Sequence, residues 1–141
     1  MTQEEINEGL ILLIQFMRFE IKPLTNEYEY AYTYWTPNAI IKGEVFFGIE
    51  KTENFDIAYI KQNLIHTLKF NTSWDWLMPV CRKWDSIYVD FKPKDIAKRI
   101  FQKYTELCEK LDDAVTQYEI KPAFEQLVEN VKWYNKNKEQ L

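Results

Sequence analysis

The 141 residues are 46% hydrophobic and 28% charged, enough to hide roughly 70% of the unfolded surface in one domain without disulfide or metal staples. A formal charge of −4, with no block of Lys or Arg, sets the chain against phosphate backbones and argues against generic nucleic-acid binding. Aromatic residues make up 16%, with five Trp, nine Tyr and nine Phe, and a functional reading has to explain that surplus.

The spacing predicts a first helix over residues 3–18, with Ile6, Leu10, Leu13, Ile14 and Met17 in one apolar stripe. Thr2 and Glu5 form a capping box at its start, and Pro23 closes the segment. From residue 27 the period changes to two: Tyr28, Tyr30, Tyr32 and Tyr34 share one face of a strand, and Glu29, Ala31 and Thr33 the other. Pro37 and Asn38 read as a turn; residues 39–42 and 44–49 read as two short strands, with Gly43 and Gly48 marking bends or bulges. Residues 54–68 favour a short helix through Phe55, Tyr59, Ile60 and Leu64, with 67–70 extended.

Ser73 is the expected cap of a second clear helix whose inner face is Leu77, Val80, Cys81 and Trp84. Pro79 lacks a backbone donor and should bend or tighten the first turns. Residues 87–91 alternate as a strand would. A third helix follows Pro93 along Ile96, Ile100, Tyr104, Leu107 and Leu111, and residues 112–118 either continue it or break away. The last helix starts within residues 116–122 and uses Phe124, Leu127, Val128, Val131 and Tyr134. With no repeat and no linker, the expectation is a single α+β domain over residues 1–141: a short, mainly antiparallel sheet with N-terminal, central and C-terminal helices on it, an α/β/α layering being the sharper version.

Cys81 and Cys108 both sit in apolar helical patterns, so two core thiols and a reducing compartment are expected. Gln3, Glu4, Glu5 and Glu8 are the reverse of a basic leader, and the longest apolar run, residues 10–14, is far short of a membrane span. A cytoplasmic protein with no membrane partner follows as the expectation.

Residues 70–80, Phe-Asn-Thr-Ser-Trp-Asp-Trp-Leu-Met-Pro-Val, resemble the SWDWLMPVV signature of an uncharacterised family of small phage and prophage proteins, many from Bacteroidetes. Phe124, Leu127, Val128, Val131, Lys132, Trp133, Tyr134 and Asn135 resemble that family's closing FIKWYN helix, and Leu13-Ile14-Gln15-Phe16-Met17 is similar to its opening IAEFM helix. The chain departs from the pattern in a long insert between Val89 and Glu119, and it is longer between its first helix and the signature. The resemblance implies an origin in a phage or mobile element and action in the cytoplasm of the infected host cell. It carries no catalytic residues over.

His66 is the only histidine, and neither a glycine-flanked nucleophile nor an oxyanion loop accompanies it. One His and two distant Cys are too few for zinc, so no metal or cofactor is expected. Three glycines form neither GxGxxG nor a P-loop. Asp75, between two indoles at a helix start, reads first as a partner of the helix dipole.

Four tyrosines on one strand face invite two readings. The face is half-buried under a helix with hydroxyls reaching the rim, or it is a binding surface. Trp74, Trp76 and Trp133 admit the same pair, and Trp74 and Trp76, two positions apart, cannot point the same way. Arg82 is a candidate partner for an anion.

The resulting functional expectation is a non-enzymatic binding protein that acts on a host protein, counter-defence being the natural setting. The ligand- or partner-binding candidates are Tyr28, Tyr30, Tyr32, Tyr34, Trp74, Trp76, Arg82 and Trp133. One alternative is a sponge for a small nucleotide signal, stacking bases on aromatic rings with Arg18, Arg82 or Arg99 at the phosphates. Another is an enzyme working with carboxylates alone. A homo-oligomer is compatible with all three.

Overall fold

The computed structural model describes residues 1–24, 29–46, 55–90 and 96–140. Tyr28, the segment around Gly48 and Ile49, and Phe91 lie outside them. The fold is α+β, and the chain forms two compact units, Met1–Leu68 and Lys69–Leu141.

The first unit opens with helix α1, Gln3–Met17. Its capping box is in place: Thr2 Oγ1 accepts from the Glu5 N–H at 3.2 Å, and Glu5 Oε2 accepts from the Thr2 N–H at 2.8 Å. Leu10, Leu13, Ile14 and Met17 are buried as the stripe predicts, each contributing roughly 1.5–3 kcal/mol by leaving water.

The strands are β1, Phe19–Pro23, β2, Glu29–Trp35, and β3, Ile40–Phe46, antiparallel in the order β1-β2-β3. Strand β1 corrects the reading of Pro23 as a mere helix terminator. Phe19 and Ile21 are buried and Glu20 and Lys22 exposed, a period of two that the adjoining helix masks. Strand β3 corrects a second expectation, because one strand runs straight through Gly43 in place of two strands and a bend. A Cβ at position 43 would run into the Tyr32 ring, so the glycine is there for close approach and not for a turn.

Registers place Phe19, Ile21, Tyr30, Tyr32, Tyr34, Ile41, Gly43 and Val45 on one face of the sheet. Glu20, Lys22, Glu29, Ala31, Thr33, Trp35, Ile40, Lys42 and Glu44 occupy the other. The first face is the core face, and α1 packs against β1 and β2. Helix α2, Phe55–Tyr59, also meets β1, and it runs on through a π turn, Ile60–Leu64, and a 3-10 turn, Ile65–Thr67. Thr67 is therefore helical where an extended segment was expected.

The second unit is helical. Helix α3, Trp74–Asp90, carries Pro79 within it, and Ser73 O accepts the N–H groups of Trp76 and Leu77 at 3.1 Å each. Leu77, Val80, Cys81 and Trp84 are buried as expected. Residues 87–90 are helix and not strand. Ile87 lies three positions beyond Trp84 and continues the same stripe, so packing overrides the β-branched propensity of the segment.

Helix α4, Ile96–Gln117, continues through the undecided run and meets α5, Lys121–Asn137, as an antiparallel hairpin. Asn130 is fully buried on α5 yet satisfied. Its Nδ2 donates to Lys103 O on α4 at 3.2 Å, and its Oδ1 accepts from Gln126 Nε2 at 2.9 Å. That bond ties the two helices to one register, since a slip would strand a buried amide at a cost of about 1–3 kcal/mol.

Candidate functional site

Tyr30 and Tyr34 are buried, 3% and 7% exposed, on the core face of the sheet. Tyr32 is half-buried, 6.1 Å from Tyr34 and 5.4 Å from Tyr59 between ring centroids, and Tyr59 stacks on Phe19 at 6.4 Å. Tyr59 comes from α2, so the helical segment after the sheet supplies the lid. Burial first, then the Tyr32 ring and hydroxyl beside it, pushes the Tyr59 hydroxyl up to about 12. Tyr32 and Tyr59 thus bond each other inside an aromatic cluster.

The other predicted residues belong to the second unit. Trp74 and Trp76 are both half-buried at the start of α3, and Trp76 meets Phe70 edge-on at 5.1 Å. Trp133 is half-buried on α5 and Arg82 is exposed on α3. The indole that anchors the core is Trp84, 0% exposed and edge-on to Tyr134 at 6.3 Å. Its Nε1 finds no acceptor among the described residues. Cys81, also buried, has its thiol pushed up to about 12 by desolvation, aided by the Asp85 carboxylate. Cys108 is half-buried. Asp75 is exposed in the first turn of α3, as the dipole reading requires, and His66 is exposed.

Exposed apolar side chains lie elsewhere, where sequence reasoning did not look. In the first unit Ile40 is 54% and Ile41 39% exposed, just after the turn in which the Thr36 N–H donates to Ala39 O at 2.9 Å. In the second, Val115 is 67% and Tyr118 96% exposed at the turn between α4 and α5. Tyr118 has φ 58°, and the turn closes with Glu119 N–H donating to Ala114 O at 2.9 Å and Tyr118 N–H to Val115 O at 3.4 Å. This is the helix-ending motif in which glycine is the usual residue. A Cβ there costs about 1–2 kcal/mol, because it crowds the following carbonyl oxygen. The available signal was the absence of Gly or Asn after a 22-residue helix.

A shallow cleft of about 220 Å³ is lined by Leu24, Glu29, Glu44 and Val45. Its two carboxylates have the wrong sign for phosphate. Among the described residues no group of three or more His, Cys, Asp or Glu is placed to hold a metal ion, and no helix is long and apolar enough to cross a membrane. No protein-family model, curated protein or solved structure matches the chain.

Proposed function

We propose that the chain is a non-enzymatic binding protein that grips another protein by surface contact, with Tyr118 and Val115 as its anchor. One observation carries this reading: a tyrosine is held almost fully in solvent on a left-handed backbone where glycine would relieve the strain. Strain kept at an exposed turn is a mark of function, and tyrosine gives a large, stiff, amphipathic contact at low entropic cost. The likeness to phage and prophage proteins makes a host factor in the infected cell the expected partner, and counter-defence the expected setting.

The test compares baits. A pull-down from host lysate with the wild-type chain should retain a discrete protein that Tyr118→Gly and Val115→Ser each lose. Tyr118→Gly relaxes the turn, so a loss cannot be blamed on unfolding. Retention of the same proteins by all three baits, or of none at micromolar bait, overturns the proposal.

A second reading follows from the cleft, where Glu29 and Glu44 come from one sheet face. Two carboxylates in one cleft are the minimum for acid–base chemistry. Turnover that disappears in Glu29→Gln would favour it over the binding reading.

A further inference from the structure

The sheet has two edges, and they are built differently. The Trp35 N–H donates to Arg18 O at 3.2 Å and the Leu24 N–H to Glu29 O at 2.9 Å. Strand β1 therefore bonds the odd-numbered residues of β2, and the N positions of Phe19, Ile21 and Pro23 point outward. Pro23 has no N–H to offer there, and α2 packs against this strand. Its edge is blunted.

Strand β3 is the opposite case. The Thr36–Ala39 bond sets the alternation, so Ile41, Gly43 and Val45 exchange hydrogen bonds with β2. Ile40, Lys42 and Glu44 then direct their N–H and C=O groups outward. No described strand lies beyond β3. Ile40, Ile41, Lys42 and Glu44 are all exposed, and neither charge is ion-paired among the described residues. A strand edge of this kind is a template for another strand.

The β3 sequence is self-complementary about Gly43. Reading outward in both directions gives Lys42 and Glu44, opposite in charge, and then Ile41 and Val45, both aliphatic. We infer that β3 pairs antiparallel with β3 of a second copy of this chain, on a two-fold axis through Gly43, joining two three-stranded sheets into one of six. In that register Lys42 lies opposite the partner's Glu44 and Glu44 opposite the partner's Lys42, as hydrogen-bonded pairs on the open face. Ile41 lies opposite the partner's Val45 on the core face, and the two glycines meet at the axis.

Hydrogen bonding limits the alternatives, because only outward-directed residues can pair. Sliding by one such step in either direction places Lys42 opposite Lys42 or Glu44 opposite Glu44, and like charges directly opposed are destabilising. Lysine on an edge strand usually discourages pairing; here the symmetrically placed glutamate makes one register attractive. The edge is only seven residues long, so the dimer is a weak one whose population rises with concentration. The inference uses residues of Met1–Leu68 and the proposed protein contact uses residues of Lys69–Leu141, so variants of β3 and of Tyr118 test the two readings independently.

The experiment is sedimentation velocity on the full chain up to about 500 μM, with circular dichroism confirming that each variant is folded. The wild type should shift from monomer to dimer. Glu44→Lys and Lys42→Glu should each weaken the dimer about tenfold or more, since each turns two attractive pairs repulsive. Mixing those two variants, or combining both exchanges in one chain, should restore it. Glu44→Gln, which adds no repulsion, is the milder variant and should weaken it less. A wild type that stays monomeric throughout, or single charge reversals that dimerise as the wild type does, would overturn the inference.

Discussion

The two units solve the backbone problem in opposite ways. In Lys69–Leu141, α3, α4 and α5 close their hydrogen bonds within themselves, so what each offers outward is side chain. In Met1–Leu68 the three-stranded sheet must leave edges, so it offers backbone as well. The same contrast runs through the interiors. Phenol groups in the first unit meet each other across Tyr32 and Tyr59, whereas the second buries an amide bonded at both ends, Asn130. Each unit also keeps a buried polar atom without a hydrogen-bond partner among the described residues, Asp56 Oδ1 in the first and Trp84 Nε1 in the second. A partner of the helical unit would therefore meet side chains, and a partner of the sheet unit would meet backbone as well.

The strongest way to break the comparison is to empty the helical core. Trp84→Ala should cost about 3–5 kcal/mol in urea unfolding followed by circular dichroism. Trp84→Phe should cost far less, because it discards an unsatisfied donor along with the lost volume. Equal costs for the two would mean that the indole N–H is bonded after all.

The corresponding blow to the sheet is Gly43→Ala. Its methyl group meets the Tyr32 ring, and a loss of about 1–3 kcal/mol is expected from overpacking. Unchanged stability would show that the ring moves aside freely and that the tyrosine cluster is loose.

Tyr118→Gly sharpens the contrast in the other direction. It should stabilise the protein by about 0.5–1 kcal/mol, since the position already has φ 58° and the side chain packs on little. A destabilised variant would reveal a structural role for the ring and weaken its case as a contact residue.

The smallest effect concerns Asp85, whose carboxyl is raised above its ordinary 3.8 by desolvation. The folded state holds that proton more tightly than the unfolded state. The stabilising contribution is thus complete below 3.8 and is lost as pH rises through the folded value. Asp85→Asn should match the wild type below pH 3.8 and melt higher at neutral pH. A thermal shift of the same sign and size at both pH values would remove the titration from the explanation.

Much of the fold was legible without coordinates. The stripes of α1, α3 and α5, the Thr2–Glu5 box and the two-residue period of β2 are local patterns, set by helix and strand geometry acting on neighbouring residues. Legibility failed where two periods overlapped. Phe19 and Ile21 follow directly on α1 and were given no strand of their own, and residues 87–90 alternated like a strand while Ile87 continued the α3 stripe.

The candidate site was least legible, because exposure is a property of what covers a residue. A two-residue period singled out Tyr30 and Tyr34, which lie buried on the strand that α1 packs against. Tyr118 and Ile40 drew no notice until the turns placed them in solvent. By itself the chain determined helices α1, α3 and α5 and strand β2, with the apolar face of each, since those follow from periodicity and capping. Only the tertiary structure decided which aromatic rings are interior, which sheet edge is open and which turn carries strain, because each depends on residues far away in sequence arriving, or failing to arrive, alongside.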